Sequence, residues 1–472
     1  MMFPQSIKHY LKPETLPDAP SQAELSGTSA RLAEFELKLI SEAGRRVAAS
    51  LRPAVMDRRA WHHFTRRVKS VRQSVYGVLK DKNQTAANGA WIAENSRLLA
   101  TAEKEARDLG YALREFPALH VEALGTVPRA YALSFEYVEI ASGKFDENAL
   151  IGFVRCFQEV EELQMRELWA LKPALQFELL SRITSLSDDS APSLSAFISS
   201  LRQIGEADWK TIFEKSNVIE EVLAGDPAGA YARMDYASRD LYRNSVSDFS
   251  KYSGKTEREV ASAAVGLALQ AQRRGPGGAA GERRANVGFY LIDEGVSILR
   301  AQLGYRSPFI RRVQSFITAN PTAFYLIGIE FLTMMIVYSL LSGLDRLTPV
   351  FAGFFLLLLP ATQTAIHVIN TVVASLIRPR VLPKLDFSIG IPEAYSTMVA
   401  VPTLLLRDSQ LRELAADLEI RYLANRDPNL YFVLLTDSPD SDRAVDELDE
   451  LVEVCQALVE DLNRRYGTEG KT

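Results

Sequence analysis

Along most of this chain apolar residues recur at the spacing of an amphipathic helix, and in one stretch the polar residues nearly disappear. Thr322–Leu344 runs 23 residues with a single charge, Glu330, and Val350–Ile377 runs 28 residues with no Lys, Arg, Asp or Glu. Between the two apolar stretches lies a short polar break around Ser342, Asp345, Arg346 and Thr348. Crossing the hydrocarbon core of a bilayer takes about 20 apolar residues, so the pattern predicts a two-helix membrane hairpin, 322–344 and 350–377. The competing reading is a buried helix pair in a soluble core, where runs of this length are rare.

Before the hairpin the periodicity is helical. Residues 1–30 are polar and proline-containing and read as a disordered tail. Helical spacing then marks Arg31–Leu51, Trp61–Leu79, Trp91–Leu109, Asn148–Met165, Glu167–Ile183, Asp208–Ala224 and Arg239–Tyr252. Thr256 with Glu259 three residues on predicts a capping box opening a helix over Glu257–Arg273. Residues 273–284, RRGPGGAAGERR, predict a flexible loop, and a helix resumes near Asn286–Leu303. Strand-like alternation is scarce, so 31–311 is expected to be an all-α domain.

After the hairpin, Pro379, Pro383 and Pro392 stiffen a connector and the period changes. Thr397–Leu406 and Leu430–Thr436 read as apolar strands, Ser409–Leu423 and Ala444–Arg465 as helices. Strand–helix–strand–helix with nearly all-apolar strands predicts a parallel sheet covered on both faces. Two strands over 395–472 are the opening of such a domain.

Charge adds topology. Arg311 and Arg312 precede the first span, and Arg378, Arg380 and Lys384 follow the second, which puts both ends of the hairpin in the cytoplasm. No apolar leader segment is read in residues 1–30, so insertion is expected to rely on the internal spans. A net charge of −5 over 472 residues argues against a nucleic-acid partner. The two cysteines, Cys156 and Cys455, read as reduced, buried thiols.

Candidate chemistry is sparse. Ligands of open parallel sheets bind at the carboxyl ends of the strands, which here are Thr403 and Asp437. An acidic residue there can hold a nucleotide's ribose or base; the alternative is an Asx-turn Asp. Asp440-Ser441-Asp442 spells a D-x-D that can grip a divalent cation, but so short a motif is weak. The His62, His63 and His120 positions lack zinc spacing, and no Walker A or dinucleotide fingerprint occurs. Glu330 in a span costs about 2.5–3.5 kcal/mol on insertion scales, so a partner is expected. In a hairpin folded near residue 347 it lies opposite Gln363, Thr364 and His367. An interhelical hydrogen bond to that patch is expected to contribute roughly 0.6–1.7 kcal/mol. Pro360 is expected to kink the second helix.

Several long phrases, in order, resemble one family. PRAYALSFEYVE (Pro128–Glu139), FVRCFQEVEELQMRELWALKPAL (Phe153–Leu175), YARMDYASRDLYRNSV (Tyr231–Val246) and RRANVGFYLIDEG (Arg283–Gly295) are similar to the N-terminal region of cyclic β-1,2-glucan synthases. So are LPKLDFSIGIPEAYSTMVAVPTLL (Leu382–Leu405) and RYLANRDPNLYFVLLTD (Arg421–Asp437). The resemblance implies a mainly α chain: a soluble helical domain, a transmembrane hairpin, and the opening βαβα of a truncated nucleotide-sugar transferase fold. It further implies a bacterial inner-membrane location, UDP-glucose as donor in the complete domain, and Mg or Mn in the complete enzyme. The family's metal-binding D-x-D, catalytic base and product-side motif have no counterpart here, and Asp440–Asp442 sits too early to stand in for them. No catalytic residue, no metal ligand and no cofactor bound by this chain alone are therefore expected. Only Asp437 and Thr403 carry over, as nucleotide-side positions. The alternative is a non-catalytic membrane scaffold for a separately encoded catalytic partner.

Overall fold

The computed structural model describes residues 25–80, 87–107, 116–186, 191–275, 278–342, 347–377, 379, 381–437 and 447–467. The chain divides into two compact units: Met1–Ala232 with Asp240–Val381, and Arg233–Arg239 with Leu382–Thr472.

The first unit is helical. Its largest core gathers residues from Ala43 to Phe213. Helix α1 (Leu25–Ser50) packs on α3 (Glu147–Gln158), and between them in sequence lies α2 (Arg129–Ile140), which packs on α4 (Met165–Ser185). The α1–α3 crossing is close because glycine lines it from both sides. A Cβ on Gly44 would overlap the Phe153 carbonyl, and one on Gly152 would overlap Ser41. Aromatic rings run through the centre: Phe64 meets Tyr131 and Tyr131 meets Phe177, both at 5.4 Å between centroids.

Buried charge in this core is paired. Arg129 Nη2 donates to Glu167 Oε2 at 2.6 Å and its Nε to Oε1 at 2.9 Å, both side chains inaccessible, while Glu161 adds a second carboxylate. Glu167 also accepts from the Gln164 backbone N–H, closing a capping box on α4. Arg243, fully buried, is held by Glu220 and by Glu214 at 3.2 Å. Glu257 accepts from the Met165 N–H at 2.8 Å, and burial pushes its carboxyl above the usual range.

Several expectations change here. Residues 31–311 are not purely helical: β1 (Arg52–Ala54), β2 (Ala118–Val121) and β3 (Gly125–Pro128) form an antiparallel sheet, order β1-β2-β3. Strands of three or four residues are too short to show a period of two. The helix expected over 91–109 is two, Ala87–Glu94 and Ser96–Ala106, and that over 208–224 breaks at Asn217, whose side chain caps the Ile219 N–H. Asn286–Leu303 splits likewise at Asp293–Gly295. Within the expected loop 273–284, Ala279–Arg284 is helical, with Arg283 on Asp293 at 2.7 Å. The Thr256–Glu259 capping box forms as read.

Toward its end this unit carries α5 (Phe309–Ala319), α6 (Pro321–Leu341) and α7 (Leu347–Leu376). Both α6 and residues 353–376 of α7 are long and apolar enough to cross a membrane, and their most apolar windows are only 11% buried. A soluble core helix of this hydropathy is mostly covered; these present their apolar surface outward.

The second unit begins with a short clip. Met234 bridges Leu385, Asp235 N donates to Lys384 O at 3.0 Å, and Asp386 N to Arg233 O at 2.8 Å. Strands β4 (Thr397–Leu404) and β5 (Leu430–Asp437) then pair in parallel, joined by α8 (Asp408–Ala424) and followed by α9 (Glu447–Tyr466). The parallel pairing is as read; the covering is not. Leu405, Leu411 and Cys455 make a small core with Leu434, Leu451, Val454 and Leu458, all on one side. Met398, Leu404 and Leu435, at 65%, 47% and 61% exposure, leave the other face open.

Candidate functional site

Two places hold the residues singled out above. The first is the carboxyl edge of the two-stranded sheet. In register, Thr403 lies level with Thr436 and Leu404 with Asp437. Side chains alternate across a strand, so Thr403 and Asp437, though both at this edge, project to opposite faces. Thr403 shares the side of Val401 and Leu434, which α8 and α9 cover; Asp437 shares the open side with Leu404 and Leu435. Asp437 is exposed, and its carbonyl accepts from the Leu405 N–H at 2.9 Å, which prolongs the ladder by one bond. A nucleotide laid on the open face would meet Asp437 and not Thr403. Asp440–Asp442 lies outside the described residues.

Asp427 shapes the opposite edge. Its carboxylate accepts from the Ile391 N–H at 2.7 Å and from the Asn429 N–H at 2.8 Å, and Asn429 Nδ2 returns a bond to Ile391 O at 2.7 Å. That cross-brace sets the loop between α8 and β5 and so the register of β5 against β4. Sequence reading passed over it because a D-x-N in a loop carries no period.

The second place is the pair of long apolar helices, α6 and α7. Thr333 and Val337 of α6 and Ala361, Ala365 and Ile369 of α7 are buried, which defines the contact face. A Cβ on Gly328 would come to 3.2 Å from Ile369. Tyr325 Oη donates to Asn370 Oδ1 at 3.1 Å. Glu330, Gln363, Thr364 and His367 are all exposed, and the Thr364 hydroxyl donates to Pro360 O of its own helix. Exposure places all four off the interhelical face, while the Tyr325–Asn370 bond and the Gly328–Ile369 approach put Glu330 near their level. One residue along a helix is about 100° of rotation, and α6 is apolar all round, so no stripe marks which side meets α7.

Among the described residues no group of three or more His, Cys, Asp or Glu side chains could hold a metal ion. Cys156 is partly covered and Cys455 buried, both free, and burial pushes both thiols up.

No family model matches the chain. It is similar to the cyclic beta-(1,2)-glucan synthase NdvB of Rhizobium meliloti (strain 1021), with 26% identity over 493 residues. That match supports the cyclic β-1,2-glucan synthase family for this chain. It takes in 81% of this chain and 17% of the relative, so the chain spans under a fifth of that synthase's length. The likeness extends over most of the chain, as do the long phrases that carry the glucan synthase resemblance, whatever each phrase does structurally. YARMDYASRDLYRNSV, for example, holds both the clip residues Met234 and Asp235 and the buried Arg243.

Proposed function

We propose that this chain is the membrane-anchored amino-terminal part of a glucan synthase that transfers glucose from UDP-glucose to a growing β-1,2-glucan with inversion at the anomeric carbon. The observation that carries the reading is the extent of the match, 81% of this chain against one stretch of a far larger synthase. In this reading the helical region is a cytoplasmic domain, α6 and α7 anchor it in the bacterial inner membrane, and the β4–β5 sheet opens the transferase domain. Asp437 accepts a hydrogen bond from the donor nucleotide at the sheet's carboxyl edge. A Mg or Mn ion neutralises the leaving diphosphate in the complete enzyme.

The clip supports the topology. A bridge between Met234 and Leu385 fits a hairpin whose two flanks lie in one compartment. Arg311, Arg312 and Lys384 on those flanks favour the cytoplasm.

On this reading the purified chain, in detergent with radiolabelled UDP-glucose and Mg²⁺, incorporates no glucose above background. Incorporation would refute the part-enzyme reading. A second reading, a non-catalytic scaffold that docks a separately encoded catalytic partner, is favoured by the uncovered face of the β4–β5 sheet. The two part company in the genome. A neighbouring reading frame that continues the transferase domain supports the synthase; an isolated gene supports the scaffold.

A further inference from the structure

Helix α5 is inside out for a protein in water. Placed on a wheel of 100° per residue, Phe309, Ile310, Val313, Phe316 and Ile317 share one arc, and Arg311, Arg312, Gln314, Ser315 and Thr318 the other. The polar arc is the one tied to protein. Arg311 pairs with Asp248, and Gln314 Nε2 donates to the Leu376 carbonyl at 2.7 Å. Of the apolar arc only Ile317 is buried; Phe309, Ile310 and Phe316 stand 80%, 54% and 62% exposed.

Two observations say what covers them. Asn320, with φ −131 and ψ 58, separates α5 from α6 by a single residue, so the exposed rings adjoin the start of an apolar helix long enough to cross a bilayer. Pro321 disfavours a helical Asn320, so α5 and α6 cannot be one straight rod. And the Gln314–Leu376 bond fixes α5 level with the last turn of α7, the other helix of that length. Both meetings place α5 at one membrane boundary, with Arg312 exposed to face phosphate groups.

We propose that Phe309–Ala319 is an interfacial helix that lies in the plane of the bilayer, with Phe309, Ile310 and Phe316 sunk between the head groups and the acyl chains. Its ligand is the phospholipid surface itself, met by an apolar arc below and by Arg312 beside it. The proposal rests on α6 and α7 as spans.

The test uses the full chain with Cys156 and Cys455 replaced by Ser, in nanodiscs of phosphatidylethanolamine and phosphatidylglycerol. Single spin labels go on Phe309→Cys, Phe316→Cys, Ser315→Cys and, within α6, Leu326→Cys. Collision with oxygen, which partitions into lipid, is compared with collision with a water-soluble nickel chelate. The expected oxygen-to-nickel ratio is above one at 309, 316 and 326 and below one at 315. A ratio below one at 309 and 316 with 326 still lipid-facing overturns the interfacial helix alone. Low accessibility to both reagents at 309 and 316 also overturns it, because protein then covers the rings. A ratio below one at 326 removes the spans, and the proposal with them.

Discussion

The helical region and the β4–β5 unit are built to different standards of closure. The first buries a continuous core from Ala43 to Phe213 and pairs its interior charges, Arg129 with Glu167 and Arg243 with Glu220. The second gathers only a small core around Leu405, Leu411 and Cys455 among the described residues, and leaves one sheet face apolar and bare. What separates them is the number of layers: a helix cluster can close on itself, whereas a parallel sheet needs cover on two sides.

The largest effects belong to the closed region. Removing one partner of a buried pair strands the other charge, so Glu167→Leu is expected to cost about 3–5 kcal/mol in denaturant unfolding of the full chain in detergent. A loss below about 1 kcal/mol, the range of exposed pairs, would mean that Arg129 is solvated and the region is less closed than described. Next comes the glycine crossing. Gly44→Ala forces α1 from α3, with an expected cost of about 1–3 kcal/mol; an unchanged midpoint would show that the crossing yields freely.

The open face predicts near-silence. Leu435→Lys, on the bare side of β5, is expected within about ±0.5 kcal/mol of the parent, whereas Leu411→Ala on the covered side costs about 2–5 kcal/mol. If Leu435→Lys unfolds the unit, something in the isolated chain already covers that face. The smallest effect is a pH slope. Burial raises the Glu257 pKa in the fold, so the folded state holds the proton longer. Stability from this group is full below the unfolded value near 4.5 and is lost as pH rises through the folded one. Glu257→Gln keeps an acceptor for the Met165 N–H and flattens that slope. An identical urea-midpoint profile from acid to neutral pH for both chains would remove Glu257 from the account.

Much of the fold was legible because it is periodic. The two apolar runs, the Thr256 capping box, and the β4–α8–β5–α9 order all follow from spacing alone. Three strands of a few residues and the Asn217 cap escaped because they lack a period; α5 is periodic, but its apolar arc looks like ordinary core until its exposure is seen. The site was legible in depth but not in azimuth. Thr403 and Asp437 share an edge, yet a single residue of register turns them to opposite faces. Glu330 shares a level with Gln363, Thr364 and His367, yet the contact runs through Thr333 and Ala365.

The clip makes the second unit discontinuous. Ser238 Oγ accepts from the Lys384 N–H across 146 residues of chain, and hydrogen bonds from Ser238 hold the Asp235 carboxyl below its usual range. Closing so long a loop carries an entropic cost that grows only with the logarithm of its length, but both ends must already exist. During synthesis residues 233–239 therefore wait, edge unpaired, until everything through the second apolar helix has been made and placed. A piece beginning at Leu382 would lack its first partner segment, and any expression strategy for the carboxyl-terminal unit has to carry that upstream stitch along with it.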